Sequence, residues 1–210
     1  MVESLIFDVD GTLWDSRALV AEGYNLQLKE EGLEHLFVDV EKLSKVFGMV
    51  MKDLGDNLLG ELPVPERYEV LERCMKTENE YLHASPKACD IGYPKVRETI
   101  AELAKKYRLF IVSNSQCGYP DLCIDKLGLT PYIEGHLCYG DTGTSKGKTI
   151  LTLMAKHNIS SAVYVGDTQG DYEATVEAGI PFVWCTFGFG KPEGYMAKVD
   201  KFEDLLNLEF

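Results

Sequence analysis

Glu3-Ser4-Leu5-Ile6-Phe7-Asp8-Val9-Asp10-Gly11-Thr12 decides how the rest of the chain is read. Glu3–Phe7 is a short β-prone run that breaks abruptly into a polar turn. The simplest structure for such a stretch is a buried strand that delivers acidic residues at its C-terminal end. Side chains alternate along a strand, so Asp8 and Asp10 are expected on one side and Val9 on the other.

Outward from this strand the texture changes twice. From Ser16 to Ala84 apolar residues recur at helical spacing, as in Leu19, Gly23 and Leu26 and again in Tyr68, Leu71 and Met75. Charged residues fill the other faces and no strand-like run intervenes, so 16–84 reads as an all-helical insert, broken by Gly and Pro between Gly55 and Pro65. After Pro94 strands and helices alternate. A helix is expected over Val96–Lys105, a strand over Arg108–Val112 ending at Ser113-Asn114, and a helix around Leu122–Leu127. A short strand over His136–Tyr139 precedes a helix over Lys148–Lys156. A buried strand over Ala162–Val165 ends in Gly166-Asp167, a helix over Tyr172–Ala178 closes on Gly179, and a strand over Pro181–Cys185 completes the set. Such alternation implies an α/β fold with a doubly wound parallel sheet, whose site lies outside the carboxyl ends of the strands. The expected division is a core of 1–15 and 85–210 with the helical insert 16–84.

Composition narrows the partners. With 21 basic against 34 acidic residues the net charge is −13, which repels nucleic acid and anionic lipid. No apolar run reaches the roughly 20 residues of a membrane span, and Asp8 and Asp10 interrupt any signal-like N-terminus. A soluble, cytoplasmic protein is expected, a monomer or small homo-oligomer. Its partner would be a small anionic molecule, since local cations can outweigh the global field. Cys74, Cys89, Cys117, Cys123, Cys138 and Cys185 form no CxxC pair and no disulfide framework, and the histidines lack ligand spacing with them, so zinc is not implied.

The polar residues fall at strand ends: Asp8 and Asp10 on the first, Ser113 on the second, Asp167 with Asp171 on the fourth. Clustered carboxylates raise one another's pKa unless a cation neutralises them, and a hard divalent ion with oxygen ligands is the natural partner. Magnesium fits, because it takes one or two carboxylates, keeps waters and binds phosphate.

Asp8-Val9-Asp10-Gly11-Thr12 resembles the first motif, DxDGT, of the haloacid dehalogenase superfamily. Ser113 after Phe110-Ile111-Val112 matches the second motif, Lys146 the lysine of the third, and Gly166-Asp167-Thr168-Gln169-Gly170-Asp171 the fourth, GDxxxD. They occur in family order and frame nearly the whole chain, with the insert where that family carries a C1-type cap. The layout is similar to the phosphoglycolate phosphatase-like group, which does not fix phosphoglycolate as substrate. The resemblance implies a Rossmann-like core and a magnesium-dependent phosphatase acting on a small phosphorylated metabolite. Asp8 would be the nucleophile and Asp10 the general acid and base, Ser113, Asn114 and Lys146 would bind the substrate phosphate, and Mg2+ would be held by Asp8, the backbone carbonyl of Asp10 and Asp167. Asp171 would orient its neighbours, while Thr12 and Gly11 shape the turn. Dehalogenase members lack the second aspartate, so Asp10 favours phosphoryl chemistry.

Rival readings are weaker. Gly143-Thr144-Ser145-Lys146-Gly147-Lys148-Thr149 looks like a Walker A loop but has three residues between its glycines where four are needed. Gly188-Phe189-Gly190 with Gly194 has the wrong spacing for a dinucleotide loop and reads as a loop at the rim of the site. A silent binding protein would not need both carboxylates. A phosphomutase on a sugar phosphate shares the core, and the cap cations Lys42, Lys45, Lys52 and Arg67 match no sugar-binding pattern. Phe47–Lys52 is the substrate-facing candidate of the cap, with an apolar helix-to-helix contact as its plainer role.

Overall fold

A computed structural model describes residues 2–49 and 51–210. Six parallel strands form one sheet in the order β3-β2-β1-β4-β5-β6. They are β1 (Ser4–Phe7), β2 (Arg108–Ser113), β3 (Ile133–Cys138), β4 (Ala162–Gly166), β5 (Phe182–Cys185) and β6 (Ala197–Val199). β1 lies in the middle and all four of its residues are buried, which suits a strand covered on both faces. Ile6, Phe110, Val112 and Tyr164 pack on one face against Ile150 and Leu153 of α8 (Lys146–Lys156) and Ala174 of α9 (Gln169–Ala178). On the other face Phe7 meets Phe202 of the 3-10 segment Phe202–Asn207, with ring centroids 6.0 Å apart. The strand order reverses at β1, where crossovers go to opposite sides, and ligands of doubly wound sheets bind at such a point.

The chain divides into two compact units, Met1–Asp15 with Gly92–Phe210, and Ser16–Ile91. The second is all helical among its described residues: α1 (Arg17–Glu30), α2 (Val40–Ser44), α3 (Met51–Leu58), α4 (Glu66–Ala84) and two 3-10 turns, Glu34–Leu36 and Pro86–Cys89. α1 packs along α4. Gly23 permits this approach, since a Cβ there would stand 2.9 Å from the Glu78 Cα. Asn25 fixes the following segment by bonding both the amide and the carbonyl of Val38, at 2.9 and 2.6 Å.

The remaining helices of the first unit are α5 (Val96–Leu103), α6 (Tyr119–Lys126) and the single turn α7 (Tyr139–Thr142). Several boundaries differ from the sequence reading. α3 runs through Gly55, which costs a helix only about 1 kcal/mol, so the break falls after Leu58. β3 begins at Ile133, because Glu134, Gly135 and His136 interrupt any apolar run on this edge strand. β6 was not expected at all; three residues give too short a pattern, and pairing with β5 defines it. α8 begins at Lys146, two residues early, because Ser145 is its N-cap and its hydroxyl accepts from the Lys148 amide.

Candidate active site

β2, β1 and β4 are neighbours, so Ser113, Asp8 and Asp167 emerge at one edge of the sheet. The Asp8 amide donates to Val165 O at 2.9 Å, which holds the residue in line with β4 one step beyond the strand itself. Lys146 enters from the first turn of α8, and its Nζ donates to Asp8 Oδ1 at 2.8 Å and Asp171 Oδ1 at 2.7 Å. Both pairs are almost wholly buried.

Asp171 is fixed by the way α9 starts. Thr168 is the N-cap, its hydroxyl accepts from the Asp171 amide, and Asp171 Oδ2 accepts from the Thr168 amide and hydroxyl and from the Asp167 amide. This is a capping box with Asp in place of Glu. The carboxylate that caps the helix therefore also orients Lys146.

Asp167 is treated differently. Its Oδ2 accepts from the Phe189 amide at 2.6 Å, while Oδ1 is buried without a partner. Two glycines crowd it: a Cβ on Gly11 (φ +82°) would lie 2.2 Å from Oδ2, and one on Gly188 would lie 2.3 Å from the Asp167 Cβ. Only glycine at both positions lets the turn after β1 and the loop after β5 close on this carboxylate. Phe189 and Gly188 thus belong to the site's wall, and sequence reasoning had placed that loop at the rim.

Side-chain oxygens of Asp8, Asp167 and Asp171 lie within 4.8 Å of one another, a set capable of holding a divalent cation. The electrostatics agree. Burial first, and then the Asp171 charge, push Asp8 up to about 7 against the pull of Lys146. Burial first, and then the charges of Asp171 and Asp8, hold Asp167 well above the ordinary carboxylate range. Asp171 is held low, because Lys146 outweighs its burial, and Lys146 is held above its usual value by the two carboxylates despite its own. One ammonium thus compensates three buried acids incompletely. The orphaned Asp167 oxygen and the all-oxygen donor set fit a hard cation.

Asp10 has two donors of its own. Its Oδ1 accepts from Trp14 Nε1 at 2.9 Å and from the Tyr119 hydroxyl at 2.8 Å. The strand gives way to a turn after Phe7, with Asp10 bridged to Trp14, and the Asp10 charge is near enough to add to the rise of Asp8. Ser113 is buried and its Oγ accepts from the Ser115 amide at 3.2 Å, while Asn114 is half-buried beside it. Thr12 is wholly buried with an unpartnered hydroxyl. Lys148 is exposed.

Tyr164, Trp14 and Tyr119 were missed. Tyr164 spans β1 to donate to Val112 O at 2.7 Å and stands 3.4 Å from Asp8 Oδ1. A tyrosine inside an otherwise apolar strand signals a buried hydroxyl in need of a partner, which was legible. Trp14 and Tyr119 are joined only by folding; their rings meet edge to face at 5.6 Å.

Comparison with known proteins agrees with this geometry. The haloacid dehalogenase-like hydrolase family matches residues 5–185. The chain belongs to that family. A phosphoglycolate phosphatase of Aquifex aeolicus is 29% identical over 192 residues, 89% of this chain and 86% of that protein. A haloacid dehalogenase-like hydrolase from Streptococcus pneumoniae superposes with a TM-score of 0.78 at 19% identity, covering 98% of this chain and 97% of its own. A 2-haloacid dehalogenase from Pseudomonas syringae pv. tomato superposes with a TM-score of 0.64 at 21% identity over 99% and 97% of the two chains. The fold therefore hosts more than one reaction, and the side chains must choose between them. Among the described residues no helix is long and apolar enough to cross a membrane.

Proposed function

We propose that this hydrolase is a magnesium-dependent phosphatase that cleaves a small phosphomonoester through an aspartyl phosphate on Asp8. The reading rests on one observation above all: a buried lysine bridging Asp8 and Asp171, beside an Asp167 oxygen that has no partner. A carboxylate nucleophile and an incoming phosphate are both anions, and such a site must supply positive charge to bring them together.

In the first half-reaction an Asp8 oxygen bonds to phosphorus as the bond to the substrate's oxygen breaks. Asp10 gives that oxygen its proton, so an alcohol leaves and not an alkoxide. In the second half a water bonds to phosphorus, Asp10 takes its proton, and Asp8 is released as carboxylate with inorganic phosphate. Trp14 and Tyr119 hold the Asp10 carboxylate in one orientation through both transfers. Lys146 favours the ionised form of Asp8 and directs its oxygen, and Asp171 holds Lys146 in place. Ser113 and Asn114, at the end of β2, donate to the phosphoryl oxygens. Asp8, the Asp10 carbonyl and Asp167 would hold Mg2+, which would supply the charge that favours ionised carboxylates and offsets that of the phosphate. The phosphoglycolate phosphatase relatives support this class of substrate. The helical unit, carrying Lys42, Lys45, Lys52 and Arg67, would act as a cap that chooses among phosphates; Val50 of the candidate loop Phe47–Lys52 lies outside the described residues. The acidic surface suits a cytoplasmic enzyme with no nucleic-acid partner.

The test is phosphate release from a panel of phosphomonoesters with magnesium, with a chelator, and with magnesium restored. Release that stops and returns with the metal is expected. A folded, magnesium-loaded protein that releases phosphate from none of them would overturn the reading.

A further inference from the structure

The structure gathers a second set of metal-binding side chains that the phosphatase chemistry does not use. Cys138 ends β3, Asp141 lies in the turn that follows, and Cys117 comes from the loop after β2. The three ligand atoms lie within 4.8 Å of one another. Cys138 Sγ is 3.1 Å from Asp141 Oδ2, and Cys117 Sγ is 3.5 Å from Asp141 Oδ1. The thiols are 21 positions apart, so no CxxC spacing announces them; the β2-to-β3 crossover brings them together.

We propose that Cys117, Cys138 and Asp141 form a site for a soft or borderline divalent cation of the zinc type, separate from the carboxylate cluster at Asp8. Two thiolates and one carboxylate select zinc or cadmium over magnesium, because sulfur ligands suit soft ions and magnesium demands oxygen. Around a tetrahedral zinc with Zn–S of about 2.3 Å, sulfur ligands stand roughly 3.8 Å apart, so the side chains need only small rotations. The carbonyl of Gln116, 3.4 Å from Cys138 Sγ, or a water would complete four ligands.

The backbone is shaped to hold the two strand ends together. Gly140 donates its amide to Ser115 O at 3.1 Å, and a Cβ on it would stand 2.4 Å from the Cys117 amide nitrogen. Any other residue would push the Cys117 loop away from the Cys138–Asp141 turn. Asp141 Oδ2 is also fixed by the Cys138 amide at 2.8 Å, which presents the carboxylate to both sulfurs. Burial and the neighbouring Asp141 push the Cys138 thiol up to about 12 and raise that of Cys117, so both carry protons until a cation arrives. Binding then forms two metal–sulfur bonds and releases two protons to solvent. One rim of the site, Cys138, pairs in register with Ser113. A bound ion would therefore brace the strand end and loop that carry the proposed phosphate ligands.

The experiment is a cadmium titration of the full-length protein, reduced with a non-thiol reductant and kept in excess magnesium. The reading is the thiolate-to-cadmium charge-transfer absorption, with stoichiometry checked by native mass spectrometry. One equivalent is expected, lost in Cys117→Ser and in Cys138→Ser, weakened at least tenfold in Asp141→Asn, and unchanged in Cys89→Ser, which removes the other exposed thiol. Cys117 is exposed, so its serine variant carries the test even if Cys138→Ser does not fold. No charge-transfer band in the wild type, or a band that survives Cys117→Ser, would overturn the proposal. Competition by zinc but not by added magnesium is expected; displacement by magnesium would also sink it.

Discussion

Charge is handled in opposite ways by the strand edge of the first unit and by the helical unit. At the strand edge Asp8, Asp167, Asp171 and Lys146 are buried together, and their charges do not balance. In the helical unit Lys45–Glu41 and Lys76–Glu80 are solvated pairs with side chains 68–81% exposed, and the half-buried Arg67–Asp56 pair is balanced one to one. Its buried acid, Glu78, accepts a hydrogen bond from the Tyr24 hydroxyl, a structural arrangement between neighbouring helices. Burying an ion costs several kcal/mol, and a fold gains little by it when apolar residues would serve. Unbalanced buried charge thus marks a site where chemistry outweighs stability, and solvated pairs mark ordinary surface.

The largest effects should come from the buried set. Asp8→Asn keeps the shape and removes the attacking charge, so turnover should fall by several orders of magnitude. The same change relieves carboxylate crowding, so the metal-free variant should be at least as stable as the wild type. Retained turnover would break the contrast, as would a large loss of stability. Lys146→Ala should likewise nearly abolish hydrolysis, whereas exposed Lys148→Ala should leave it within a few-fold. An inactive Lys148→Ala beside an active Lys146→Ala would return the chain to a P-loop reading.

Next comes Asp10, whose carboxylate is half-buried and held by neutral donors. General acid–base catalysis contributes about 100- to 10,000-fold, so Asp10→Asn should lose that much on an alkyl phosphate and less on an activated aryl phosphate. Equal losses on both, with phosphorylation rate-limiting, would remove Asp10 from the role of acid. Tyr119→Phe deletes one of the two hydrogen bonds on Asp10 Oδ1. A hydrogen bond to a charged group is worth about 1.5–3 kcal/mol, so the loss should be roughly 10- to 150-fold. It should show the same dependence on leaving group as Asp10→Asn, which a general loosening of the fold would not produce.

The sequence made the first unit readable and left the second largely silent, for a physical reason. Reaction chemistry needs particular atoms at strand ends, and strand ends follow from β-prone runs that stop at Asp8, Ser113 and Asp167. What failed to show were contacts made only by folding. Tyr119 reaches Asp10 across 109 positions, and Phe189 reaches Asp167 across 22. The start of α8 was placed late because Ser145 reads as loop until its hydroxyl is seen capping the helix. In the helical unit helix-to-helix packing needs only apolar periodicity, a pattern that many sequences satisfy, so the periodicity gave the elements and no chemistry.

The smallest effect sharpens the comparison from the helical side. Arg73 Nε and Nη2 reach Glu31 Oε1 and Oε2, both at 2.7 Å, a bidentate pair tying α4 to the end of α1, with Arg73 47% exposed. Its geometry is the best of the surface pairs, yet solvent screens it, so a double-mutant cycle of Glu31→Gln and Arg73→Ala should give a coupling of only about 0.5–1 kcal/mol. The pH dependence follows from the direction of the Glu31 shift. The Arg73 hydrogen bonds, aided by Gln27 and opposed by partial burial, hold its carboxyl below the ordinary 4.5. The unfolded chain therefore binds the proton more readily than the folded one. The coupling should be fully present above that ordinary value and fade as pH falls through the lower, folded one. Denaturant melts of the four proteins at neutral pH and in acid measure it. Because the pair serves packing and not reaction, hydrolysis of a small generic phosphate at neutral pH should stay within about twofold in all four. A coupling that persisted in acid would assign the stabilisation to packing of the arginine stem. A large loss of turnover would place chemistry in a part of the molecule where solvated charges argue against it.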